Sequence, residues 1–149
     1  MTTTDFSTTL LAEKSPKEVF GIIKNVRAWW SGLYQETFEG KADQVGDEFS
    51  FLAGGGMHYS KQKLIELIPE TKIVWLVTDS KLTFLSEEAE WTNTKLCFEI
   101  SQEGHKTQVR FTHIGLNPEI ECYNQCSSGW NGYLQGKLLP LLSDASRHA

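Results

Sequence analysis

His113 is the residue whose type and position most suit it to chemistry. On the period-two stretch Lys106 to Ile114 it shares parity with Val109 and Phe111, so it faces the apolar side of a strand. An imidazole there has two readings. It is either a core residue satisfied by a neighbour or the polar handle of a buried site, where its near-neutral pKa would also suit acid–base work. Tyr59 and Tyr133 are the phenols expected to converge with it, one from a strand and one from a helix. Around them stand Phe49, Phe51, Trp75, Phe98, Phe111 and Trp130, each on the apolar side of its segment. Such rings are ordinary core material, but small-molecule cavities are walled by the same side chains with a few polar groups among them. These residues form the candidate cavity. Trp29 and Trp30 are adjacent and cannot both point inward from one helical turn, so they are expected to supply a rim or partner contact.

Other constellations carry less. Three cysteines, Cys97, Cys122 and Cys126, are an odd number, and free thiols in a reducing compartment are the expectation. Cys122 and Cys126 have i, i+4 spacing, but no histidine nearby completes a zinc set, so no metal is expected. No pattern calls for a cofactor. Cys97 has the opposite parity to Leu96 and Phe98 and faces away from His113, which excludes a Cys–His dyad. Gly54-Gly55-Gly56 precedes a strand rather than a helix, so it is not a phosphate loop. Glu87-Glu88-Ala89-Glu90 reads as a solvated loop.

The elements that must position these residues follow from period and punctuation. Asp5 to Ala12 reads as a strand. Ser15-Pro16-Lys17-Glu18 is a helix start, with Ser15 as cap, Pro16 in the first turn and Glu18 closing a capping box. A second short helix runs through Val26 to Trp30 and ends near Gly32. Strands are then expected over Gln35 to Glu39, Asp47 to Phe51, Met57 to Ile68, Lys72 to Thr78, Thr92 to Gln102 and Lys106 to Ile114. Asp79 to Trp91 shows no usable period. Ile120, Tyr123, Ser127, Trp130, Leu134, Leu138 and Leu141 recur at helical spacing, with Pro140 expected to kink or end that helix. Gly129, Gly132 and Gly136 on it cost about 1 kcal/mol each against alanine. They serve either close packing on the sheet or open space for a ligand. The class is α+β, a curved antiparallel sheet buried by one long C-terminal helix.

A chain of 149 residues is the size of one domain and can bury roughly two-thirds of its surface without disulfides or metals. Its net charge of −5, with no basic cluster, argues against a nucleic-acid partner. The longest apolar run, Ile73 to Val77, is far too short for membrane insertion. Met1 to Asp5 lacks the features of a signal peptide, so a cytoplasmic location is expected.

Taken in order, Ser15 to Phe20, Trp29-Trp30, Gly46 to Phe51, Ile73-Val74-Trp75, Thr107 to His113 and Gly129-Trp130 before a Leu-rich helix end carry a resemblance. The chain resembles the START-like (SRPBCC) superfamily, and within it the family related to the activator of the heat-shock protein 90 ATPase. The resemblance spans nearly the whole chain. It implies a helix-grip fold, with six to seven strands around the long helix, two short helices after the first strand, and a cavity between sheet and helix. Many members bind hydrophobic molecules there, and some are cyclases or hydratases; no universal catalytic motif transfers. Binding of a small hydrophobic molecule is the leading expectation. A cyclase or hydratase, or a protein-interaction module of co-chaperone type, are the alternatives. Oligomeric state stays open.

Overall fold

The computed structural model describes residues 5–143. Met1 to Thr4, on which the leader reading rests, lie outside them. The chain runs β1 (Phe6–Ala12), α1 (Pro16–Lys24), α2 (Val26–Trp29), then β2 (Thr37–Gly40), β3 (Glu48–Ala53), β4 (His58–Ile68), β5 (Lys72–Leu82), β6 (Lys95–Glu103) and β7 (Lys106–Ile114). It closes with α3 (Tyr123–Tyr133), a π-helical turn (Leu134–Leu138) and α4 (Leu139–Ser143). The strands form one antiparallel sheet in the order β1-β7-β6-β5-β4-β3-β2. Strands β2 to β7 are therefore a meander, and β1 returns to flank β7. This is the helix-grip arrangement.

Local chemistry explains the elements. At the start of α1, the Ser15 hydroxyl accepts from the Glu18 amide at 3.2 Å and the Glu18 carboxylate accepts from the Ser15 amide at 3.1 Å. Strand β7 alternates buried and open positions, with Thr107, Val109, Phe111 and His113 inward. Register shifts at Lys61/Gln62 and Leu64/Glu66 break the ladder between β4 and β5. Such bulges bend a sheet and let it wrap a helix. Gly54, Gly55 and Gly56 all have positive φ (62°, 69° and 101°), which a side chain would strain, so glycine makes the β3–β4 connection possible.

Four expectations need correction. Strand β5 runs on to Leu82 through polar residues, because Ser80 and Leu82 stay paired with β4 where β6 no longer covers it. Pro140 neither ends nor breaks the helix. The π turn just before it widens the backbone where the proline ring would meet the preceding turn, and the Leu139 amide still reaches the Leu134 carbonyl. Beyond it, the Leu142 carbonyl accepts from the amides of Glu13 and Lys14, tying the helix end to β1. Trp29 and Trp30 are both buried, at 1% and 2% exposure. Helix α2 stops at Trp29, so Trp30 adopts non-helical angles (φ −92°, ψ 47°) and turns its ring in beside its neighbour, 5.9 Å away and parallel. Neither is an exposed rim. Finally, the sulfurs of Cys122 and Cys126 are joined, with their Cα atoms 5.4 Å apart, so only Cys97 is a free, buried thiol. One turn at the entry to α3 puts both side chains on the same side.

Candidate functional site

A pocket of about 280 Å³ opens between the β3–β4 end of the sheet and α3. Its wall comes from five places. Strand β3 gives Phe51 and Ala53, and the glycine turn and start of β4 give Gly54, Met57 and His58. The segment after α2 gives Trp30 and Tyr34, and the β5–β6 loop gives Phe84 and Trp91. Helix α3 gives Gln125, Cys126, Gly129, Trp130 and Tyr133. Tyr34, Met57 and Phe84 are exposed and mark the mouth, whereas Trp30, Phe51, Trp91 and Trp130 are buried and form the floor. The Trp30 and Phe51 rings stack at 4.3 Å, and Trp91 lies parallel to Trp130 at 5.8 Å.

Of the sequence candidates, Phe51, Trp130 and Tyr133 meet on this wall, together with Trp30 of the adjacent tryptophan pair; Trp29 does not line it. Phe49, Trp75, Phe98 and Phe111 are fully buried in the core behind it. Tyr59 does not converge: its cross-strand partners are Leu52 and Lys81, both exposed, so it faces the outer side of the sheet. The inward residue is His58, one position earlier. Parity counted back from buried Leu64 would have found it.

His113 lies one layer deeper, wholly buried and fully engaged. The Trp130 indole N–H donates to His113 Nδ1 at 3.0 Å, which leaves the proton on Nε2 to be donated to Thr94 Oγ1 at 2.8 Å. The Thr94 hydroxyl in turn donates to the Trp91 carbonyl at 2.6 Å. This chain pins both tryptophans that wall the pocket. Burial, with a smaller contribution from nearby His58, pushes the His113 pKa down to about 3. Burial alone lowers His58 to about 4. Both imidazoles are neutral at pH 7.

Two acidic residues missed in the sequence hold the walls. The Glu36 carboxylate accepts from the backbone amides of Gly32 (2.8 Å), Leu33 (3.2 Å) and Tyr34 (3.0 Å) and from the Tyr133 hydroxyl (2.5 Å). Burial works against the charge on Glu36, but the phenol and the amides outweigh it and keep its pKa below the usual value. The Tyr133 phenol is held far above its ordinary range, by burial first and then by the carboxylate it serves. In an alkaline titration followed at 295 nm, the Tyr133 step is expected only as the protein unfolds. Tyr133→Phe should delete that step alone.

The other is Glu90. Its carboxylate accepts from the amides of Glu121 and Cys122 at 2.9 Å each, at the positive end of α3. Glu121 reciprocates, accepting from the Ser86 amide at 2.8 Å. The acidic run is a largely exposed loop, as expected, and its Glu90 clasps that loop to the helix.

The helix glycines divide. A Cβ on Gly129 or Gly136 would meet nothing within 4 Å, and on Gly132 it would touch only the Leu33 side chain at 3.4 Å. Close packing on the sheet does not explain them. Gly129 lines the pocket and keeps it open, whereas Gly136 faces outward from the π turn. Among the described residues, no three His, Cys, Asp or Glu side chains converge on a possible metal position, and no helix is long and apolar enough to cross a membrane.

The family model described as "Activator of Hsp90 ATPase homolog 1-like protein" matches residues 16–142. Among solved structures, the Aha1 dimer from Colwellia psychrerythraea aligns at TM-score 0.70 and 21% identity, covering 98% of this chain and 99% of that one. A protein from Arthrobacter aurescens aligns at 0.70 and 13%, with 97% and 91% covered. The Mll3558 protein from Rhizobium loti aligns at 0.70 and 16%, with 95% and 98% covered. A search of curated proteins returns no match. These likenesses establish the fold.

Proposed function

The chain belongs to the Activator of Hsp90 ATPase homolog 1-like family, and from that premise we propose that it binds a small hydrophobic molecule in the pocket between the curved sheet and α3. The observation that carries this reading is Gly129. A glycine inside a helix gives up about 1 kcal/mol relative to alanine. Here that position faces open space among aromatic rings rather than a neighbour that needs the room. The wall is mostly Trp, Phe and Tyr with few polar groups, the composition of small-molecule sites. An acid–base reaction led by His113 is less well supported, because both ring nitrogens are spent on Trp130 and Thr94.

The test is saturable fluorescence enhancement of N-phenyl-1-naphthylamine, an uncharged apolar probe. Gly129→Leu is expected to weaken its binding about tenfold or more. The same variant should melt no lower than wild type, since leucine favours the helix and its Cβ meets nothing. Unchanged binding in Gly129→Leu, or no saturable binding in wild type, would defeat this reading.

A further inference from the structure

Strand β4 carries polar residues on its inner side. His58, Ser60 and Gln62 share parity with buried Leu64, and Ser60 and Gln62 are wholly buried. The neighbours of Gln62 across the ladder are Phe49 and Val77, so an apolar residue would suit the position better. The Ser60 hydroxyl, both ends of the Gln62 amide, Nε2 of His58 and the indole N–H of Trp75 on β5 all lack a hydrogen-bond partner in the protein. Native interiors leave few such atoms unbonded, and each one forfeits stability. Here they lie along one face of two adjacent strands.

This strip begins at the pocket. His58 lines it, as does Phe51, the cross-strand partner of Ser60. Alternate residues of a strand are about 7 Å apart, which sets Ser60 one such step and Gln62 two steps inward from His58. Trp30 spans the boundary, its ring 4.3 Å from Phe51 and 6.0 Å from Phe49, the partners of Ser60 and Gln62. No Lys or Arg lines the pocket or belongs to the strip, so an ionised carboxylate would go unmatched. Hydroxyl, carboxamide and indole together offer donors and acceptors without charge.

We propose that the ligand is an uncharged amphipathic molecule, an apolar ring body bearing a hydroxyl, ketone or carboxamide that seats on Ser60, Gln62 and Trp75. This rests on the pocket being a ligand site, and it names what that ligand must carry.

Three probes with one body test it: naphthalene-2-carboxamide, naphthalene-2-carboxylate and 2-ethylnaphthalene, each read by displacement of N-phenyl-1-naphthylamine. The carboxamide is expected to bind about tenfold tighter than the ethyl compound, and the carboxylate weakest. Gln62→Leu and Ser60→Ala should abolish that preference while keeping the ethyl compound bound. Without ligand, Gln62→Leu should melt several degrees above wild type, roughly the shift expected for replacing an unbonded buried amide. Equal binding of amide and ethyl probes in wild type, tightest binding of the carboxylate, or a lowered melting point in Gln62→Leu would each overturn the proposal. If N-phenyl-1-naphthylamine itself fails to bind, the pocket reading falls first. If it binds but the three probes are not distinguished, only this proposal falls.

Discussion

His113→Ala is expected to destabilise the fold by about 3–5 kcal/mol, rather than to spare it and remove ligand binding alone. The reasons add. The imidazole is wholly buried, so its removal leaves a cavity. The Trp130 indole N–H then loses its acceptor and Thr94 loses its donor, both deep in the core. Against the ~5–15 kcal/mol of a typical domain this is a fifth or more, equivalent to a fall of roughly 6–20 °C in melting temperature. Urea unfolding of wild type and variant measures it. If His113→Ala unfolds within about 1 kcal/mol of wild type yet no longer binds N-phenyl-1-naphthylamine, His113 is a ligand handle and the core reading is wrong.

The second large effect is acid destabilisation beginning well above the carboxylate range. Unfolded, a histidine titrates near pH 6.5; folded, His58 and His113 titrate near 4 and 3. Between these limits the unfolded chain binds protons that the native state refuses, so stability rises with pH across the window and is full above about 6.5. At pH 5 the loss is about 2 kcal/mol for each histidine, or about 4 kcal/mol for the pair. Glu36, whose pKa is lowered on folding, acts at lower pH: its contribution is present above the ordinary carboxylate pKa and disappears as pH falls through the folded one. The two effects are therefore separable. Urea midpoints at pH 7 and pH 5 should differ strongly in wild type, and His58→Gln should remove roughly half the difference. A flat profile between these two pH values would mean that the imidazoles are not held neutral by burial.

Much of the fold was legible because its signals are local. The capping box before α1, the alternation of β7 and the helical spacing from Tyr123 onward each follow from contacts within a few residues. The end of β5 was not, because Asp79 to Leu82 owe their strand to pairing with β4 rather than to their own pattern. The pocket was half legible. Phe51, Trp130 and Tyr133 lie on regular elements whose inner face can be counted. Trp30, Phe84 and Trp91 come from a helix end and a loop, where side-chain direction depends on backbone angles that no period encodes. Glu36 and Glu90 were invisible for a related reason: both serve backbone amides, and amides carry no side-chain signature.

The π turn has a consequence for phase. In a uniform α-helix each four-residue step drifts about 40°, so Leu134 and Leu142 would point about 80° apart. Leu134, Leu138 and Leu142 are instead all fully buried. One wide turn cancels the accumulated drift and resets the clock of the helix between two customers. Ahead of it, α3 is timed to the pocket through Cys126, Trp130 and Tyr133; behind it, α4 is timed to β1 and α1. A one-residue deletion within Leu134–Leu138 would restore an even rhythm and leave only one of those two faces in step.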